Sequence, residues 1–200
     1  MNPDVAQIYA DIKELTKCCL TENKKLIEKK ILQDHDCDIN FLVLRNDFVS
    51  KYSWAIPTHE IIKEMVGFIK NDVTIEIGCG TALWTYLLKK EGCQIIPVDL
   101  ISSANCFTNI IQGDAISSIN KFAADVLILI WPPYNNSMAH DSLKDFGGDR
   151  VIYIGESFYG CTADDKFHEL LEKKWQLVKK SYIPTWPCVN DFVMFYKKKT

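Results

Sequence analysis

Three carboxylates, Glu76, Asp99 and Asp114, stand at or near the ends of short apolar runs, and Glu76 lies just before a glycine turn, Gly78-Cys79-Gly80. Val73 to Ile77 is apolar and β-branched and reads as a buried strand; Thr81 to Lys90 carries Leu83, Trp84, Leu87 and Leu88 at helical spacing. A strand, a glycine turn and a helix bring unpaired backbone N–H groups towards whatever occupies the turn, and glycine lets the backbone approach a ligand where a Cβ would collide. The spacing Gly78-x-Gly80-x-Ala82 departs from the dinucleotide fingerprint G-x-G-x-x-G. A carboxylate at Glu76 repels a pyrophosphate and suits a cationic amino group. Asp99 lies 19 residues beyond Gly80, which sets a carboxylate at the end of the neighbouring strand, in reach of a ribose diol. Each acid also has a plainer reading: an ordinary βα turn for Glu76, a turn cap for Asp99, a simple Gly-Asp turn for Gly113-Asp114.

A second group surrounds Asp125-Val-Leu-Ile-Leu-Ile-Trp-Pro-Pro-Tyr134. Its aliphatic run predicts a strand buried on both faces, as at the centre of a parallel sheet, and the prolines end it abruptly. Trp131 and Tyr134 offer flat apolar faces, with Asn135 and Asn136 beside them. Arg150 to Glu156 predicts the next strand, so Glu156 would stand at its end, close to that loop. Flat faces with a few polar groups suit a planar or aromatic ligand. A carboxylate shielded by two aromatics would have its pKa raised and could accept a proton.

The stretch Glu76-Ile-Gly-Cys-Gly-Thr-Ala82 resembles the first motif of the class I S-adenosylmethionine-dependent methyltransferases, with Ala82 where a third glycine is usual. Trp131-Pro-Pro-Tyr134 is similar to the D/N/S-P-P-Y/F loop of amino-methyltransferases acting on adenine, cytosine or glutamine. There the first side chain and a proline carbonyl accept hydrogen bonds from the target amine. Trp131 departs from that pattern because an indole N–H only donates. Together with S-W-A-I-P-T, Y-I-G-E and C-T-A-D-D-K-F, these motifs also resemble a little-characterised methyltransferase-like group over residues 50–190. The resemblance implies S-adenosyl-L-methionine as cofactor, held by Glu76, Gly78, Cys79, Gly80, Asp99, Leu100, Asp114, Ala115 and Trp131. It implies an acceptor, a small molecule or nucleobase, at Tyr134, Asn135, Trp131 and Glu156. A catalytically silent cofactor-binding protein is the alternative. A hydrolase built on Cys161 and His168 is weaker, since no third group accompanies the pair.

The elements that would position these residues follow from periodicity. Residues 4–20 and a stretch through Ile31 and Leu32 read as amphipathic helices, forming a cover over residues 1–40 ahead of a methyltransferase-like domain at 41–200. Thr58 is a plausible N-cap for a helix from Ile61 to Lys70, with Tyr52 and Trp54 just ahead of it as either an aromatic lid or core residues. Strands are expected at Cys93–Asp99 and Asn109–Ala115. A helix is expected from Asp164 to Lys180 with Phe167, Leu170, Leu171 and Leu177 inward, overlapping a strand that starts at Trp175; Asp191–Lys197 forms the last strand. The expected architecture is Rossmann-like: a seven-stranded, mostly parallel sheet with an antiparallel last strand and an N-terminal helical extension.

Composition excludes several classes. The chain of 200 residues is 48% hydrophobic, the range of a folded domain rather than a disordered one. No apolar run approaches the ~20 residues of a membrane span, and no signal peptide is apparent, so a cytoplasmic protein is expected. Its eight cysteines form no C-x-x-C pair, which points to reduced thiols rather than structural zinc. The Asp34–Asp38 cluster reads as a solvated loop, and no metal is expected. A net charge of −3 with only two arginines, Arg45 and Arg150, does not favour nucleic acid as a partner, though local RNA contact by the lysine-rich C-terminus stays open.

Overall fold

The computed structural model describes residues 4–15, 39–101 and 105–199. In chain order these form α1 (Val5–Leu15), α2 (Ile39–Lys51), α3 (His59–Ile69), β1 (Thr74–Ile77), α4 (Leu83–Lys90), β2 (Ile95–Asp99) and β3 (Ile111–Gln112). There follow α5 (Ala115–Lys121), β4 (Val126–Ile130), α6 (Met138–Asp145), β5 (Arg150–Gly155), α7 (Asp165–Lys174), β6 (Trp175–Tyr182) and β7 (Phe192–Lys198). The strands make one seven-stranded sheet in the order β3-β2-β1-β4-β5-β7-β6. β1 to β5 pair in parallel, and β7 is antiparallel to both β5 and β6. The class I methyltransferase fold is therefore present, with its antiparallel strand inserted next to the edge.

Strand alternation explains the two layers of helices. Val126 and Ile128 of β4 and Ile152 and Ile154 of β5 face one core, shared with Ile8, Phe48, Ile62, Trp84 and Leu87 from α1 to α4. Leu127, Leu129, Val151 and Tyr153 face the other, against Ile119, Leu143, Phe167 and Leu171 from α5 to α7. Burying each such side chain contributes roughly 1.5–3 kcal/mol, so the aliphatic run of β4 is stable only at the sheet centre, where helices cover both faces.

Thr58 caps α3, its hydroxyl accepting the Ile61 N–H at 3.3 Å. Arg150 pins the start of β5 to the end of α3: its guanidinium donates to the Phe68 carbonyl at 2.8 Å and pairs with Asp72. α1 contributes Ile8 and Ile12 to the same core as α2 and α3, and the expected division at residue 40 falls in the first turn of α2. The second N-terminal helix and the Asp34–Asp38 loop lie outside the described residues. No helix among the described residues is long and apolar enough to cross a membrane.

Several boundaries differ from the sequence reading. β3 is two exposed residues, and Asp114 caps α5 instead of continuing a strand turn. α7 stops at Lys174 and β6 starts directly at Trp175, so Leu177 is exposed on the edge strand and not inward on a helix.

Candidate functional site

The C-terminal ends of the parallel strands carry the site. At the end of β1, Gly78 (φ +71°) and Gly80 (φ +53°) occupy left-handed backbone, and Ala82 (φ +57°) extends the turn into α4. The turn is held against β2: the Gly78 and Cys79 amides donate to the Val98 carbonyl at 2.9 and 3.1 Å. A Cβ at Gly80 would meet nothing within 4 Å, and one at Gly78 would meet only the Met138 methyl at 3.2 Å. Positive φ, more than crowding, selects glycine here. The Cys79 side chain is buried, which pushes its thiol pKa up.

Glu76 is buried, 1% exposed, and its carboxylate accepts the Thr85 hydroxyl from α4. Burial pushes its pKa up to about 7. It lies beneath the turn and outside the cavity wall. Asp99 ends β2 with one oxygen accepting the Gly80 amide at 2.8 Å and the other the Ile101 amide at 3.1 Å. Asp114 accepts the Ser117 amide and hydroxyl at 3.0 and 3.1 Å, which holds its carboxyl below the usual range.

A cavity of about 470 Å³ opens above these strand ends. Gly78, Asp99, Leu100, Asp114, Ala115, Ile116, Trp131, Pro132, Pro133 and Met138 are among its walls. Six of the nine residues singled out for a cofactor line one space, Gly78, Asp99, Leu100, Asp114, Ala115 and Trp131, and Gly80 is tied to it only through its hydrogen bond to Asp99. Glu76 and Cys79 support the turn from within.

The loop after β4 separates this cavity from a second one of about 300 Å³, lined by Tyr134, Asn135, Tyr159, Thr162, Asp164 and His168 among others. Tyr134 is 68% exposed and Asn135 has φ +51°. The loop is anchored to its neighbour, the Asn135 amide donating to the Ala163 carbonyl at 2.9 Å and the Ala163 amide to the Pro132 carbonyl at 3.1 Å. Glu156 holds that neighbouring loop. One of its oxygens accepts the Cys161 amide at 2.7 Å and the other the Asn190 amide at 2.8 Å. Glu156 therefore shapes the second cavity without lining it. His168 packs on Tyr153 and Phe167 with Nε2 3.3 Å from the Thr162 carbonyl. Burial, with Glu156 alongside, pushes the Cys161 thiol up to about 12, the reverse of what a nucleophilic cysteine needs.

Trp131 stands in left-handed backbone (φ +49°). Its indole N–H donates to Asp191 at 2.7 Å, and its ring stacks on Trp54 with centroids 4.8 Å apart at 11°. Trp54 thus contacts Trp131 from the segment ahead of α3 and is not among the residues lining either cavity. Tyr52 instead is buried, its hydroxyl donating to Asp11. Asp191 was missed at the sequence level. It is 60 positions from Trp131, and no local pattern distinguishes it from any aspartate opening a strand.

No family model matches the sequence. A protein of Nanoarchaeum equitans (strain Kin4-M), named an uncharacterized RNA methyltransferase, is 20% identical over 186 residues, covering 86% of this chain and 41% of its own length. The chain thus spans well under half of that relative. Among solved structures, 1,6-didemethyltoxoflavin-N1-methyltransferase of Burkholderia thailandensis, with 1,6-didemethyltoxoflavin and S-adenosylhomocysteine bound, superposes with a TM-score of 0.55. It is 15% identical, over 81% of this chain and 90% of the other. TehB of Haemophilus influenzae superposes at 0.53 with 13% identity, over 78% of this chain and 67% of its own. At these identities the likeness is one of fold.

Proposed function

We propose that this chain is an S-adenosylmethionine-dependent methyltransferase acting on a planar or aromatic acceptor. The observation that carries the reading is that one loop, Trp131 to Ser137, walls both cavities. Gly78, Asp99, Leu100, Asp114 and Ala115 face one side of it, and Tyr134 and Asn135 the other. The residues present fit the cofactor. The glycine turn keeps a Cβ off the cavity floor, Asp99 presents a carboxylate at the strand end, and Asp114 with Ala115 closes the far wall. When bound, the cofactor supplies an electrophilic methyl group. The chain's part is alignment and exclusion of water, which in-line displacement chiefly requires. Tyr134 offers a stacking face, Asn135 a side chain able both to donate and accept, and Glu156 orients the acceptor through the loop it holds.

One observation favours catalytic silence instead. The only polar atom of the Trp131 side chain is an N–H donor, already paired with Asp191, so this side chain gives a target amine no acceptor. Nor does kinship choose the substrate, one relative being named for RNA and one structural neighbour holding a small molecule.

Label transfer from methyl-tritiated S-adenosylmethionine to separated RNA and small-molecule fractions tests the proposal. The wild type should label one fraction, and Tyr134→Ala should lose that transfer while keeping its cofactor affinity. Cofactor binding with no fraction labelled would establish the silent reading, and full transfer by Tyr134→Ala would place the acceptor elsewhere.

A further inference from the structure

Trp131 adopts a backbone conformation that bulky side chains rarely take, and it does so in the loop that divides the two cavities. Such a conformation persists only where the surroundings over-determine it. Three contacts do so here. The Trp131 amide donates to the Ile154 carbonyl at 2.8 Å, its ring stacks on Trp54, and its indole N–H reaches Asp191.

Asp191 is the unusual partner. It is 2% exposed, its second oxygen has no hydrogen-bond partner among the described residues, and Glu156 is close enough to act on it electrostatically. A carboxylate is costly to bury, and more so when half of it is unpaired. Nothing in the sheet calls for it, because the β7 pairing begins one residue later, at Phe192. The indole is what this buried acid serves.

We propose that Asp191 is a positioning residue for methyl transfer: by accepting the Trp131 indole N–H it locks that ring between the cofactor cavity and Trp54. The loop then holds its two walls in one arrangement. The word transfer rests on the methyltransferase reading; the locking is a property of the free chain. Asp191 touches neither the cofactor cavity nor the acceptor cavity and acts through Trp131 alone.

Two stacked indoles whose in-plane transition moments are rotated against each other give an exciton couplet in circular dichroism, readable without any ligand and assigned by its loss in Trp54→Phe. Asp191→Asn keeps a carbonyl that accepts the indole N–H, whereas Asp191→Leu and Asp191→Ala do not. Asn should retain the couplet, and Leu and Ala should lose it while their melting remains cooperative. S-adenosylhomocysteine affinity, read by calorimetry, should fall about five-fold in Leu and Ala, the ratio one typical hydrogen bond corresponds to, and less than two-fold in Asn. A couplet that survives in Leu or Ala overturns the proposal, and so does a couplet lost in Asn, which decides the matter if the other two variants do not fold. If the couplets behave as expected but the wild type does not bind S-adenosylhomocysteine, the cofactor reading fails and the locking stands.

Discussion

Glu76 and Asp191 are buried acids whose pKa values are pushed up to about 7, chiefly by burial, from ordinary values of 4.5 and 3.8. In each the folded state binds its proton more tightly than the unfolded chain does. Stability from these two groups is therefore fully present below pH ~4 and declines as pH rises to ~7, above which the cost of two buried charges is complete. Glu76→Gln with Asp191→Asn should show a shallower fall in melting temperature between pH 5 and 7 than the wild type, since amides carry no such proton. Parallel curves for the two proteins would mean that neither acid holds its proton through that range. Among the residues named from sequence, the glycines were the most legible, because positive φ leaves a direct mark on residue choice. Asp191 was not legible, because its meaning comes from a contact across the sheet.

At the scale of elements, the Glu156 carboxylate ties the loop after β5 to the segment ahead of β7. Glu156→Gln retains one acceptor oxygen where two part-buried backbone amides need one each, so one donor loses its partner at a cost of about 1 kcal/mol. Hydrogen exchange at Cys161 and Asn190 should accelerate, and cleavage of the loop carrying the 92% exposed Tyr159 should become easier. Unchanged protection at both amides would remove Glu156 from its role as the loop's anchor. The elements themselves were largely legible where periodicity met a chemical boundary. β1 ends in glycines, β4 ends in prolines, and α3 opens at Thr58. Legibility failed where no such boundary exists. α7 passes into β6 with no breaker between Lys174 and Trp175, and β6 is an edge strand whose exposed face imposes no alternation on Leu177 or Val178. β3 is too short to write a pattern.

The whole molecule is a sheet that gathers chemistry along one edge of its parallel strands. Residues far apart in the chain, from Gly78 to Trp131, share one cavity because β2, β1 and β4 are adjacent and run the same way. The switch in strand order between β1 and β4 opens that space. Trp54 and Asp191, from distant parts of the chain, both contact Trp131, which lines that cavity.

Calorimetric titration of the wild-type chain with S-adenosylhomocysteine tests the central claim most directly, with Asp99→Ala as its partner. The account predicts one site per chain, weakened roughly ten-fold or more in Asp99→Ala through loss of a charged strand-end acceptor. A folded wild-type protein that does not bind, or a folded Asp99→Ala that binds as tightly as the wild type, would contradict it.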